Sequence, residues 1–309
     1  MKKGVVIALG GNALLRQGQK PSIETQFKNA QIAMHHLLPL LKKYPTVITF
    51  GNGPQVGNIL LQVESAKDAY TIPLEVAVAE SEGELGYLIE QSLRNELQKH
   101  RSKKEVTSIL TQVLVDKNDP LLKRATKPIG PFYTKAKAKA LMKKGMKLKE
   151  DAGRGWRRVV PSPLPKYILE AAAIKKLMEK NVVIAAGGGG IPVYKHMGKL
   201  KGVEAVIDKD FASAQLATQI GAEKLLIITG VKKVYLNYKA HAQQAVSSLT
   251  IREAEKYLRE KQFAEGSMKP KIEAAVKFLR KGGKTVIITS PECITQALKG
   301  KEGTRIYRK

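Results

Sequence analysis

Apolar runs of strand length alternate with amphipathic stretches of helix length along the whole chain. Val5 to Leu9, Thr46 to Phe50, Val106 to Val115, Val182 to Ala186, Leu225 to Thr229 and Thr285 to Thr289 read as strands. Between them, Ser22 to Lys43, Glu75 to His100, Leu169 to Lys180, Phe211 to Ile220, Ile251 to Lys261 and Lys271 to Arg280 carry helical patterns. Strands that are apolar at successive positions are buried on both faces, as in a parallel sheet, and each parallel crossover needs a helix. The alternation predicts an α/β fold, a three-layer αβα sandwich around a mainly parallel central sheet.

Two segments break the rhythm. Ile191 to Tyr194 and Val203 to Ile207, joined by a turn through Gly198, read as an antiparallel hairpin. From about Lys117 to Lys166 the chain is rich in lysine and proline and has no long apolar run. Within it Thr134 to Lys144 looks helical, whereas the prolines from Pro161 to Pro165 forbid a helix. The stretch is too long for a simple loop in a compact domain. It reads as a small protruding lid subdomain over residues 117–166.

Composition narrows the function classes. With 309 residues and 43% hydrophobic content, a sizeable core is available. No apolar run approaches the roughly 20 residues of a membrane span. The amino-terminal run is too short for a signal peptide, so a cytoplasmic protein is expected. Cys293 is the only cysteine, which excludes an intrachain disulfide and a thiolate metal cluster. The five histidines are scattered, and the neighbours His35 and His36 point about 100° apart on a helix. No metal site is therefore expected. The outlier is a formal charge of +27. The excess is spread along the chain, aromatic content is 6%, and no basic run reaches five residues, so specific nucleic-acid binding is not expected. A generally cationic surface that attracts anionic substrates fits better.

The glycines carry the strongest chemical signal. Gly10-Gly11-Asn12, Gly51-Asn52-Gly53-Pro54 and Gly187 to Gly190 each follow a predicted strand. One such cluster is a tight strand-to-helix turn. Three at equivalent places predict a crevice in which backbone N–H groups approach an anion. The spacing matches neither a Walker P-loop nor a dinucleotide fingerprint, and no kinase His-Arg-Asp occurs. Phosphoryl transfer asks a protein mainly to align its substrates and offset charge, and lysines supply that. Lys209 sits between Asp208 and Asp210 at a predicted helix start. Lys271 follows Gly266 to Pro270, and Lys127 lies on the excursion. In so lysine-rich a chain, each alone reads as a solvated surface cation.

These segments together resemble the amino-acid kinase superfamily and, within it, the carbamate kinases. The match runs nearly end to end, through Val6 to Ala13, Gly51 to Gly57, Val115-Asp116 with Thr126 to Phe132, and Lys149 to Pro163. It continues through Gly187 to Pro192, Lys201 to Asp210 and Gly266 to Lys271. The Gly153-Arg154-Gly155-Trp156-Arg157 block and the tetraglycine block separate this family from acetylglutamate, aspartate and uridylate kinases. The resemblance implies one amino-acid kinase-like domain over 1–309, with an acceptor lobe in 1–215 and a nucleotide lobe in 216–309. It implies Mg²⁺-dependent transfer between ATP and carbamate, giving ADP and carbamoyl phosphate, in a homodimer. The direction it implies is toward ATP, in arginine or related catabolism.

Position by position, the resemblance implies that Gly10, Gly11, Asn12, Gly51, Asn52 and Gly53 hold the acceptor and the phosphoryl group in transit. Lys127 would close over the acceptor. Lys209 and Lys271 would neutralise donor phosphates, with Asp210 holding both ammonium groups. Asp208, which also reads as a helix N-cap, would join Gly266, Ser267 and Met268 on the nucleotide. Thr229, Gly230, Val231, Tyr235 and Asn237 would border adenine and ribose. Arg154, Trp156 and Arg157 would sit at the subdomain base. Two departures stand out: the family's Ser-Gln-Gly-x-Ile-Gly-Tyr reads Ser81-Glu82-Gly83-Glu84-Leu85-Gly86-Tyr87 here, and Lys232 stands where the family has Asp after Thr229-Gly230-Val231. The added acids are expected to weaken acceptor binding if they face the crevice, and Lys232 to alter nucleotide affinity. The competing readings are another small-acid kinase, and a basic nucleic-acid-binding protein on an inactive kinase scaffold.

Overall fold

The structure, a computed structural model, describes residues 4–15, 19, 21–66, 68, 70–151, 155–238 and 240–308. Its main sheet has eight strands. From one edge they run Ser248–Thr250, Thr304–Tyr307, Thr285–Thr289, Lys224–Ile228, Val5–Leu9, Thr46–Phe50, Asn181–Ile184 and Glu105–Ser108. All neighbours pair in parallel except Thr285–Thr289 with Thr304–Tyr307. Every residue of Val5–Leu9, Thr46–Phe50 and Thr285–Thr289 is buried, as strands covered on both faces must be.

The side-chain period of two divides the core between the faces. Val5, Ile7 and Leu9 pack with Met34, Leu37, Leu85 and Leu88 of the helices Ile23–Leu41 and Leu74–Lys99. Val6 and Ala8 pack with Ala212, Leu216, Ala275 and Leu279 of the helices Lys209–Gln219 and Met268–Arg280. The three layers are as the pattern of apolar runs implies. From Val5–Leu9 the chain first builds toward one edge, then returns to add Lys224–Ile228 on the other side. In an open α/β sheet such a reversal marks where a crevice opens beyond the carboxyl ends of the strands.

The run Val106 to Val115 is two strands rather than one. Glu105–Ser108 closes the main sheet, and Gln112–Val115 turns away to join a four-stranded sheet with Ile191–His196, Lys199–Gly202 and Pro165–Ile168. The hairpin also differs from its sequence reading. Ile191–His196 pairs with Lys199–Gly202 around Gly198, whose φ is +77°. Val203 to Ile207 forms no strand; Val206 donates its N–H to Pro161 O instead. Its apolar side chains are buried by tertiary packing, a demand that produces the same pattern as a strand.

The lysine-rich excursion holds a three-stranded antiparallel sheet of Ala125–Tyr133, Trp156–Pro161 and Leu148–Glu150. Prolines 128 and 131 are tolerated because Ala125–Tyr133 is an edge strand whose register shifts twice along its pairing. Thr134 caps the helix Lys135–Lys143 by accepting the Lys137 N–H. Tyr133, Ala138 and Leu148 form a small core of its own with Leu141, Met146 and Trp156 around it.

This sheet is seated on the helix Gly53–Ser65 by a backbone contact. A Cβ at Gly57 would stand 2.1 Å from Gly130 Cα and 2.2 Å from Gly130 N. Overpacking of this kind costs about 1–3 kcal/mol, offset by about 1 kcal/mol of helix propensity gained over glycine. Gly57→Ala is expected to destabilise the chain by about 1–2 kcal/mol and to loosen the excursion. Urea denaturation together with amide exchange at Ile129 and Val160 checks both effects; an unchanged midpoint would show that the contact relaxes without cost.

Candidate active site

Asp208, the N-cap of Lys209–Gln219, accepts the Asp210 N–H through Oδ1 at 2.9 Å. Capping the first turn this way places Lys209 and Asp210 at the mouth of the crevice with both side chains buried. The Lys209 stem lies along Gly51, where a Cβ would come within 3.3 Å of Cδ. Lys209 Nζ donates to Asp210 Oδ1 at 2.5 Å. Lys271, one turn into Met268–Arg280, donates to Asp210 Oδ2 at 3.1 Å and to Ser267 O at 3.2 Å. Lys127 reaches from the three-stranded sheet to pair with Asp208 Oδ2. Asp208 is thus both the N-cap and a charge partner.

These groups line a cavity of about 190 Å³. It brings together Gly11, Gly51, Asn52, Gly53, Lys127, Asp208, Lys209, Asp210, Gly266, Ser267 and Lys271 of the residues singled out from sequence. The backbone of Asn12 lies in the turn Gly11–Ala13, and its side chain is outside the described residues, as is Arg154. Gly10 sits just behind the cavity, donating to Ile228 O at 2.8 Å. The proposed adenine border lies apart from this lining: Thr229 donates to Thr289 O, Tyr235 pairs with Ala245, and Asn237 donates to Gln262 Oε1 at 3.1 Å. Gly230 and Val231 follow Thr229 in the bend after Lys224–Ile228, and Met268 packs toward the core.

Sequence reasoning missed Asp151, Pro128, Val206, Ile207 and Pro270 in the lining, and placed Arg157 only at the subdomain base. Arg157 does tie that base together. It donates to Gly130 O at 3.0 Å and to Asp151 Oδ2 at 3.3 Å, with its guanidinium 5.1 Å from the centre of the Phe132 ring. It also faces the cavity. The Gly-Arg-Gly-Trp-Arg block contained the signal, since an arginine held at that spacing among glycines is costly to bury without a task.

Of the tetraglycine segment, Gly188 lines the cavity. At Gly188, with φ +64°, a Cβ would stand 2.1 Å from Asn52 Nδ2, so only glycine lets the two turns meet. Asn52 in turn donates to Ser81 Oγ at 2.7 Å. Glu82 lies in the third turn of Leu74–Lys99 rather than at a helix start, and its carboxyl accepts from Gly187 N at 2.8 Å and Thr111 N at 3.1 Å. It therefore faces the glycine turn from beneath. Glu84 is half-buried and Lys232 is exposed, its carbonyl accepting from Thr289 Oγ1.

The electrostatics follow from burial and pairing. Burial works against the Asp210 charge, but Lys209 and Lys271 outweigh it and hold the carboxyl well below its usual range. Burial pulls the Lys209 ammonium down, with Asp210 opposing. Lys271 is also penalised by burial, yet the carboxylates of Asp210 and Asp208 raise it. The result is a set of cations held by carboxylates along one cleft, an arrangement able to stabilise charge on a transferring phosphoryl group.

Two measurements test this account. A carboxyl lowered in the folded state contributes stability above its ordinary value of about 3.9, and that contribution is lost as the pH falls. Asp210→Asn leaves two buried ammonium groups without their anion and is expected to cost about 3–5 kcal/mol at neutral pH. It should also flatten the acid limb of stability, measured by urea melts between about pH 3 and 7. Glu82 titrates in the opposite sense: burial pushes it up to about 8 against the pull of its two N–H bonds. The folded chain then holds a proton that the unfolded chain has lost between about pH 4.3 and 8, so stability falls across that window. Glu82→Gln is expected to reduce this fall; an equal drop in Tm between about pH 5 and 8.5 in both proteins would mean that the carboxyl is ionised throughout.

Known proteins resemble this chain over nearly its whole length. Residues 3–290 match the model of the amino acid kinase family. The carbamate kinase of Pyrococcus horikoshii is 47% identical over 312 residues, covering 99% of each chain. The structure of carbamate kinase from Giardia lamblia bound to citric acid superposes with a TM-score of 0.95 at 41% identity, covering 100% of this chain and 99% of that one. The same enzyme bound to AMP-PNP gives 0.91 at 42%, with the same coverage.

Proposed function

The chain belongs to the amino acid kinase family, and we propose that it is a carbamate kinase, moving a phosphoryl group reversibly between ATP and carbamate. The observation that carries this reading is the Asp210 carboxylate holding Lys209 and Lys271 against the glycine turns of two adjacent strands. The Gly11 turn and the amino end of Gly53–Ser65 offer backbone N–H groups to the small anionic acceptor. Lys209 and Lys271 face the phosphates from the opposite wall. Lys127, carried by the three-stranded sheet, closes the acceptor side. The segment Thr229 to Asn237 extends the nucleotide side toward the base. Among the described residues no histidine or cysteine lines the cavity, and direct in-line transfer is the route we assign.

Mg²⁺ enters with the nucleotide as substrate. The three carboxylates lining the cavity are each paired with a cation: Asp208 with Lys127, Asp210 with Lys209 and Lys271, and Asp151 with Arg157. They do not form a ligand set for a resident ion, so the nucleotide phosphates and water hold it. The likeness to carbamate kinases supports a homodimer, two lobes over 1–215 and 216–309 with 117–166 as lid, and net flow toward ATP in arginine or related catabolism. No helix of the described residues is long and apolar enough to cross a membrane, and the cytoplasm is the compartment we assign. The nucleic-acid reading is not favoured, because the relatives at this identity are kinases over their full length.

The assay is ATP formation from ADP, Mg²⁺ and carbamoyl phosphate, with acetyl phosphate and the phosphorylated forms of acetylglutamate and aspartate as competitors. Turnover is expected with carbamoyl phosphate, and Lys209→Ala is expected to lower kcat by about 10²–10³. ATP no faster than the spontaneous breakdown of carbamoyl phosphate allows would sink the assignment.

A further inference from the structure

Two of the five scattered histidines come together at one place away from the cavity. His35 on Ile23–Leu41, Glu96 near the end of Leu74–Lys99, and His100 at the C-cap of that helix bring their donor atoms within 4.8 Å of one another. After His100 the chain enters Glu105–Ser108 at its amino end, so the cluster lies at the sheet edge opposite the crevice. We propose that His35, Glu96 and His100 form a binding site for a divalent transition metal of the zinc class, bridging the two helices that cover one face of the sheet.

The geometry supports this in three ways. Two donors on one tetrahedral zinc, each at about 2.0–2.1 Å, stand about 3.3–3.4 Å apart. His35 Nδ1 and Glu96 Oε2 are already 3.2 Å apart. His35 and His100 are exposed, with ring centres 6.1 Å apart, so small χ rotations at the surface complete the triad while Glu96 stays fixed. Glu96 is fixed because its side chain is only 7% exposed, and its second oxygen, which accepts from Lys99 Nζ at 2.7 Å, is not needed for the metal. Two imidazoles and a carboxylate make a borderline donor set that suits zinc, copper or nickel and not Mg²⁺. Water would complete the coordination sphere.

The opposing influence is electrostatic. Lys99 lies against the carboxylate, and the chain as a whole carries +27. Lys99 is on the surface and its long side chain can turn away into solvent, so it weakens the site without blocking it. A metal held here would tie Ile23–Leu41 to the end of Leu74–Lys99 and would stabilise the folded chain by linkage. The cluster has no part in the proposed transfer, which makes its test independent of the kinase assay.

The probe is zinc sulfate titrated calorimetrically into the full chain without a histidine tag. One zinc per chain in the micromolar range is expected, with a Tm rise of about 2–5 °C at saturation. His35→Ala and His100→Ala, both at exposed positions, should each weaken binding by at least about tenfold and leave ATP formation unchanged. Lys99→Ala should bind zinc at least as tightly as the parent. Absence of binding up to about 1 mM zinc, or equal binding by the His35→Ala/His100→Ala double variant, would overturn the assignment.

Discussion

The carboxylate of Asp210 stands where two helices and the carboxyl edge of the sheet converge, and the site is arranged around it. Two ammonium groups in a buried cleft repel one another and lose hydration, and either effect alone would drive them apart or strip a proton. Asp210 accepts one hydrogen bond from each on separate oxygens, which compensates both. For that to work, Lys209–Gln219 and Met268–Arg280 must lie side by side on one face of the sheet. Their packing through Ala212, Leu216, Ala275 and Leu279 puts them there. The small alanines at this contact let the helices approach closely enough for both lysines to meet one carboxylate. Further support comes from Ser213, which donates to Lys209 O and lies 2.6 Å from Thr49 Oγ1 on the strand Thr46–Phe50. The position of the charges is therefore set by the core.

The same logic couples the excursion to the rest of the molecule. Lys127 sits on a proline-interrupted edge strand, a poor element by itself, and it pairs with Asp208 at the helix start. Two contacts of different kinds thereby anchor the subdomain, a backbone contact between Gly57 and Gly130 and an ion pair across the cleft, beside the apolar packing of Ile129 and Val160 on Val56 and Leu60. The first is fixed by van der Waals contact. The second is electrostatic and faces the cavity, so an anion entering there would compete with Asp208 for Lys127. If residues 117–166 act as the proposed lid, an exchangeable contact at Lys127 beside rigid ones at its base would let it respond to substrate while keeping its register.

How much of this was legible in the sequence depends on what kind of pattern each part leaves. The buried strands were legible because burial on both faces requires unbroken apolar runs, as in Val5–Leu9. The glycine turns were legible because close backbone approach excludes a Cβ. The excursion's sheet was not, since its strands carry lysine and proline and bury only a small cluster around Tyr133. Val203 to Ile207 was misread because tertiary burial imitates a strand, and Gln112–Val115 because the kink after Ser108 has no proline or glycine to mark it. Among the site residues, Lys127, Lys209 and Lys271 stood out by position but each alone read as a surface cation until the family resemblance gave it a role. Asp151 and the true position of Arg157 depend on how the excursion folds back, which no local pattern reports. Glu82 was visible as a departure, but its contact with Gly187 needed the helix and the glycine turn in place.

The overall charge shows why position rather than number of cations matters here. The chain has 54 lysines and arginines against 27 acidic residues. Exposed cations are hydrated and screened within about 8 Å at physiological ionic strength, so the excess raises the local concentration of anions but discriminates little among them. The cavity cations differ in being buried or partly buried and in being held by carboxylates, Lys127 by Asp208, Arg157 by Asp151, and Lys209 and Lys271 together by Asp210. Balance is what makes burial tolerable, and burial is what keeps the lysines from being screened. Because their carboxylates are already engaged, a bound phosphate adds charge to a nearly neutral cluster instead of neutralising a bare positive one. Its binding is then moderate, as reversible transfer requires, and the stabilisation left over is available as charge shifts onto the moving phosphoryl oxygens.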